Sequence, residues 1–247
     1  GDLRHPNLRK YIETYFDRGF QDNAFQLAER FDHLLKSDPE YPKLLVRLAQ
    51  HLQMSGATVQ AKKKFLQLLK LAPNNATAPM ELRKLYYAEG NKTDALKHAE
   101  AALRLEPNHA LAHSILGVLL LEQGYGSEAV EHFEKLVELQ PEMFDARLRL
   151  GAAYGSVGRR AAAIEQFHHA TLLLPQSDEA HYQLAKSLAG AKRYDEAVAA
   201  YQQAIEIAPQ RAGLHFGLGI ALEGAGRAVE SVEAFRRTLE LKPDSLA

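Results

Sequence analysis

Seven of the ten prolines stand 34 residues apart, at Pro39, Pro73, Pro107, Pro141, Pro175, Pro209 and Pro243, with Pro6, Pro42 and Pro79 outside the series. A fixed period of this length is the mark of stacked supersecondary units, each too small to bury its apolar face alone. With this proline numbered position 32 of each unit, position 7 reads Leu48, Leu82, Leu116, Leu150, Leu184 and Leu218. Position 8 is small at Ala49, Gly117, Gly151, Ala185 and Gly219, and Arg83 alone departs from this. Position 20 is Ala61, Ala95, Ala129, Ala163, Ala197 and Ser231; position 24 is Phe65, Ala99, Phe133, Phe167, Tyr201 and Phe235.

Positions 4, 7, 8 and 11 share one helical face, and positions 20, 24, 27 and 28 share another, so each unit reads as two antiparallel helices. Small residues at 8 and 20 let the two backbones approach. Glycines near position 15, at Gly56, Gly90, Gly124, Gly158 and Gly226, suit the left-handed residue that ends the first helix. Thr93, Ser127 and Asp195, all at position 18, are expected to cap the second helix. The period-setting proline stops it, having no N–H to donate.

These residues resemble the tetratricopeptide repeat (TPR) pattern of W-x2-L-G-x2-Y, A-x3-F and P. The resemblance covers six good copies at 42–75, 76–109, 110–143, 144–177, 178–211 and 212–245, with an atypical first copy at about 8–41. In that copy Gly19, Ala24 and Ala28 fit only if Pro39 falls some four residues late, so its second helix is expected to run about one turn longer. The family tryptophan at position 4 is replaced throughout by Leu45, Pro79, His113, Arg147, His181 and His215. The resemblance implies an all-α fold, an α-solenoid of antiparallel helix pairs forming a right-handed superhelix, with first helices lining a concave groove. No domain boundary is expected inside 1–247.

Composition limits the function. With 30 Lys+Arg against 31 Asp+Glu the net charge is −1, without the basic excess of nucleic-acid binders, so no nucleic-acid partner is expected. Charge is uneven along the chain, +4 over residues 1–109 and −5 over 110–247. The absence of cysteine excludes disulfide frameworks, thiol nucleophiles and iron–sulfur clusters and is compatible with cytoplasm and periplasm alike. The longest apolar run, Ile115 to Leu121, is far shorter than the roughly 20 residues of a membrane helix, and no membrane insertion is expected.

Tests for chemistry are negative. Gly90-Asn91-Lys92-Thr93 ends like a phosphate loop, yet Leu85 stands where the first glycine belongs. Gly217-Leu218-Gly219 lacks the third glycine of a dinucleotide fingerprint. His98 and His132 share position 23 and are expected to lie a packed-helix spacing of roughly 8–10 Å apart, too far for one ion. No catalytic residue, metal or cofactor is assigned, and the chain is read as non-catalytic.

Function is expected on positions 2, 5, 6, 9, 12 and 13 of each first helix, the stripe that the resemblance places in the groove. The candidate apolar strip comprises Met80, Tyr87, Leu111, Ile115, Val118, Leu121, Leu148, Tyr182, Phe216 and Ile220, flanked by Arg47, Lys84, Arg149 and Lys186. Small residues recur on this stripe in the last three repeats and would let a ligand backbone approach. The alternative is that a tightly wound solenoid buries these residues against itself. Of the carboxylate clamp known in the family, Lys43 and Arg47 match only the last pair, and the asparagine ladder at position 6 is absent.

The expected function is a protein-interaction scaffold that binds a peptide or helix with acidic flanks in an apolar groove. The alternative is a targeting or regulatory arm of a larger enzyme such as a glycosyltransferase, or a periplasmic assembly factor for secretion or polysaccharide export. The chain begins at Gly1 and stops at Asp244-Ser245-Leu246-Ala247 without a polar cap. It therefore reads as a segment of a larger protein, and self-association through uncapped ends is open to it, with Val232, Phe235 and Leu239 partly bare.

Overall fold

A computed structural model of the chain describes residues 5–242; Pro243 and the four residues after it, which close the seventh repeat in sequence, lie outside the described residues. The described chain is helical throughout: α1 His5–Asp17, α2 Gln21–Arg30, α3 Asp32–Leu35, α4 Tyr41–Met54, α5 Thr58–Leu71, α6 Thr77–Ala88, α7 Lys92–Leu105, α8 Ala110–Glu122, α9 Gly126–Leu139, α10 Phe144–Ser156, α11 Arg160–Leu173, α12 Asp178–Gly190, α13 Tyr194–Ile207, α14 Ala212–Gly224 and α15 Ala228–Leu241. It divides into two compact units between Ala112 and His113. In the first, α4 packs on α5, α5 on α6 and α6 on α7; in the second, α9 through α15 pack each on the next. The fold is an all-α solenoid of the expected kind. No helix among the described residues is long and apolar enough to cross a membrane.

The first unit is built on Leu8, Ile12, Leu35, Tyr41, Leu44, Leu48, Phe65, Leu68 and Leu82. The second has a core that includes Phe167, Leu184, Leu188, Val198, Tyr201 and Leu222. Within each repeat the small residue at position 8 receives the ring at position 24. A Cβ added to Gly117, Gly151 or Gly219 would lie 2.6 Å from Phe133, 2.7 Å from Phe167 and 2.5 Å from Phe235, respectively. Only glycine admits a helix at that distance. The third repeat inverts the arrangement, with Arg83 at position 8 and the buried Ala99 at position 24. Ser231, the exception at position 20, is buried and donates its hydroxyl to the Gly219 carbonyl at 2.9 Å.

The turns repeat to the atom. In the third repeat the Gly90 N–H reaches the Tyr87 carbonyl at 2.9 Å and the Asn91 N–H reaches Tyr86 at 2.9 Å, the paired bonds of a Schellman motif. Gly90 has φ +76°, and the sixth repeat imposes the same geometry on Lys192, at φ +61°. The period-setting prolines from Pro73 to Pro209 each stand two residues beyond a helix end, as at Leu71, Leu105, Leu139, Leu173 and Ile207.

Two expectations are corrected. Thr93, Ser127 and Asp195 are not the helix caps: they are second residues of α7, α9 and α13, and the capping positions are Asn91, Tyr125 and Arg193. Of these only Asn91 caps with its side chain, accepting from the Asp94 N–H at 3.1 Å. The turn after the left-handed residue is two residues shorter than the sequence suggested. The extra turn of the first repeat does not lengthen α2, either. Phe31 leaves the helix at φ −112° and ψ 19°, and the extra residues form α3, pinned by Asp32, which accepts from the Tyr41 hydroxyl at 2.6 Å and the Gln67 amide at 2.5 Å. Burial alone would raise the Asp32 carboxyl, but hydrogen bonds from Tyr41, Lys36 and Gln67 hold it down to about 2.

The missing tryptophan has a specific replacement. His181 and His215, at position 4, place Nε2 3.0 and 2.9 Å from the carbonyls of Pro175 and Pro209. Arg147 reaches Pro141 in the same way at 3.2 Å and also donates to Gln166 at 2.8 Å. A polar side chain at position 4 thus ties each of these first helices to the carbonyl of the proline in the preceding loop, a group outside either helix's own hydrogen-bond ladder.

Candidate functional site

In the first unit, Met80 is nearly buried, so the surface there is presented by the exposed Tyr87, Lys84 and Leu111. The cations are engaged: Lys84 pairs with Glu81 at 2.6 Å, and Arg47 pairs with Asp17 at 2.5 Å while lying over the Phe16 ring. In the second unit Ile115, Val118, Leu121, Leu148 and Tyr182 are half-buried, whereas Phe216 and Ile220 are 51% and 45% exposed on one face of α14. Tyr182 is held between the Tyr201 ring, 6.2 Å away, and the Arg211 guanidinium, 4.7 Å from its centroid. Arg211 is itself fixed by Asp178 and Glu179 at 2.7 and 2.9 Å.

The first helices α10 and α12 leave a gap between them. One part, about 260 Å³, is lined by Asp145, Leu148, Arg149, Ala152, Glu179 and Gln183 over the Phe167 ring. The adjoining part, about 410 Å³, shares Ala152, Phe167 and Gln183 and adds Gly151, Gly155, Ser156, Arg160, Ala163, Lys186, Ser187 and Gly190. Positions 5, 6, 9, 12 and 13 of α10 and positions 2, 6, 9 and 13 of α12 thus meet around one cleft, which Tyr182 does not line, and Ala152, Gly155 and Gly190 leave backbone within reach there. A Cβ added at Gly155 or Gly190 would meet nothing within 4 Å. Arg160, Ser187 and Phe167 are site residues that the sequence stripe did not include; the doublet Arg159-Arg160, without an acid in the first turn of α11, was the available signal.

Histidines cluster elsewhere. His113 and His132 approach Nδ1 to Nδ1 at 3.0 Å, and burial followed by the neighbouring His113 lowers the His132 imidazole. His98 stacks on Tyr86 with centroids 5.3 Å apart and is lowered by burial. Among the described residues no three His, Asp or Glu side chains gather as a metal site would require.

The family sequence model described as tetratricopeptide repeat matches residues 84–144 and 182–245, together just over half of the chain. The chain belongs to the tetratricopeptide repeat family. Residues 122–204 also match the family of anaphase-promoting complex, cyclosome, subunit 3. No curated protein matches the sequence. Among solved structures, that of MamA is 26% identical and superposes at a TM-score of 0.65 over 69% of this chain and 93% of that one. YrrB, described as a TPR protein with an unusual peptide-binding site, is 21% identical at a TM-score of 0.66 over 74% of this chain and 94% of its own. PilF of Pseudomonas aeruginosa is 21% identical at 0.60 over 84% and 94%; these last two likenesses concern the fold alone. The TPR array makes this a repeat protein of the protein-interaction kind.

Proposed function

We propose that this TPR protein holds an extended peptide or an amphipathic helix along the first-helix face, without catalysis of its own. The observation that carries the reading is the cleft between α10 and α12, which opens on the predicted stripe and is walled by small residues. Leu148 and Tyr182, with Phe216 and Ile220 beyond, supply apolar contacts, and Arg149 and Lys186 supply charge. Exposed aromatic anchors beside a concave, partly apolar site are the usual carriers of peptide affinity. In the first unit, Tyr87 and Leu111 with Lys84 offer apolar and charged contacts of the same kind on their own. The same face would serve a chain that acts alone or as the targeting arm of a larger protein.

The test is a displayed peptide library selected on the wild-type chain, with the winners titrated against Phe216→Ala and Tyr182→Ala. Loss of an anchor should weaken binding by tenfold or more; selected peptides that bind both variants unchanged would remove the site from this face. Self-association has separate support in α15, where Val229 and Val232 are 87% and 61% exposed and Leu239 follows on the same side. Light scattering over a range of concentrations on wild type and Val232→Lys decides it, a monomer throughout counting against it.

A further inference from the structure

We propose that the 410 Å³ part of the cleft between α10 and α12 is a pocket for one carboxylate, carried by an acidic side chain or the C-terminus of a peptide; this rests on the peptide-binding reading above. Two cationic side chains, Arg160 and Lys186, line this space, and no aspartate or glutamate does. Neither enters an ion pair or a side-chain hydrogen bond among the described residues. Several other cations of the same unit are already engaged: Arg149 has Asp145, Arg211 has Asp178 and Glu179, and Lys135 has Glu138. Arg193 and Arg227 are each gripped by two bonds of 2.6 to 2.8 Å from Glu196 and Glu230, three residues on. The arginine equivalent to these in the fifth repeat is Arg159, with Ala162 where its acid would stand, and Arg160 follows it one position on with no acid three residues later either. Two like charges facing one concave space repel each other, and an anion between them converts that repulsion into two attractions.

The other groups fit the same occupant. The Ser187 hydroxyl has no hydrogen-bond partner among the described residues and remains a donor. Ser156 already donates to the Ala153 carbonyl at 2.7 Å and Gln183 to Glu179 at 2.6 Å, so recognition falls on Arg160, Lys186 and Ser187. Ala152, Gly155 and Gly190 leave room for a main chain. The adjoining part of the cleft is bordered by Asp145, paired with Arg149, and Glu179, paired with Arg211; it offers no free cation to a second acid, so the pocket selects one carboxylate rather than an acidic run.

The chain 1–247 is titrated with three probes while its amide NMR spectrum is recorded: acetyl-Leu-Ala-Glu-Ala-Leu-amide, its glutamine counterpart, and an N-acetylated pentapeptide of apolar side chains whose free C-terminus is its only charge. The pocket requires shifts at Gly155, Ser187 and Gly190 with the glutamate peptide or the free C-terminus; whichever binds identifies the carboxylate's source. Lys186→Ala and Arg160→Gln, both at exposed positions, should each weaken that binding by roughly tenfold, and Lys186→Arg should retain it. Equal binding of glutamate and glutamine peptides overturns the pocket, as does indifference to both cation variants or no shift at these amides up to about 5 mM probe. If the pocket fails but Phe216→Ala weakens all probes alike, the peptide-binding face stands; shifts confined to residues off the first helices remove both.

Discussion

Alanine at Gly117 and at Gly155 should move stability in opposite directions. Both glycines lie in helices with ordinary right-handed backbone, and in both cases alanine gains helix propensity, up to about 1 kcal/mol in an interior position and less in the last turn, where Gly155 sits. At Gly155 the new methyl meets nothing within 4 Å, so the gain is kept: several tenths of a kcal/mol, a rise in Tm of about 1 to 3 °C in a chain of this size. At Gly117 it would stand 2.6, 2.7 and 2.8 Å from three carbons of the Phe133 ring, which is fully buried and has nowhere to withdraw. Overpacking of this kind costs roughly 1 to 3 kcal/mol, which outweighs the propensity gain and leaves a net loss of about 1 kcal/mol. Urea unfolding followed by far-ultraviolet circular dichroism reads both as midpoint shifts at constant m-value. Phe133→Leu in the Gly117→Ala background should cost at least about 0.5 kcal/mol less than in the wild type, the coupling expected of touching residues. If Gly117→Ala stabilises as much as Gly155→Ala, the small-against-ring account of the repeat is wrong.

Asp32, whose carboxyl is held at about 2, contributes stability that is present above the ordinary aspartate range and is lost as pH falls from about 4 to 2, of order 2 kcal/mol; Asp32→Asn should flatten that limb of a pH series of urea midpoints. His132 and His98 are lowered from the ordinary histidine value, first by burial. The unfolded chain therefore takes up protons that the fold refuses, and stability falls as pH drops below about 6.5. His132→Gln should reduce this slope in the same assay, and an unchanged slope would refute it. Lys192→Gly should raise the midpoint by about 1 kcal/mol, since glycine carries no penalty at φ +61°, whereas Gly158→Ala, at φ +77°, should lower it by a similar amount.

The fold was legible because periodicity survives every local irregularity: one proline series and one leucine series place the helix pairs, and Gly56 to Gly226 place the turns. Caps were misread because the left-handed residue and the helix start are separated by a single residue, so that Thr93 and its equivalents, suitable in type, lie inside the helix. Of the candidate residues chosen from the helical stripe, Leu148, Arg149 and Lys186 line the cleft between α10 and α12 and the others do not. Its depth was not legible, because it depends on how far adjacent first helices stand apart. Arg160 was missed because it belongs to the second helix, outside any stripe drawn on the first. Met80 and Tyr87 carry the same pattern in sequence, and only packing decides that one is buried and the other exposed.

The matching of small residue to ring bears on how such a chain can be rearranged. Gly117 with Phe133, Gly151 with Phe167 and Gly219 with Phe235 are partners inside one repeat, and the third repeat carries Arg83 and Ala99 at the same two positions. A crossover at a repeat boundary carries each pair over whole; one at the mid-repeat turn could set a ring against an arginine or leave a glycine facing an alanine. The sixth and seventh repeats are bound more tightly, because Gly217 and Gly224 of α14 would place a Cβ 2.5 and 2.4 Å from Tyr201 and Tyr194 of α13. Duplication, deletion or grafting should therefore be tolerated in units of 34 residues with these two repeats moving together, and the breakpoints belong beside the prolines.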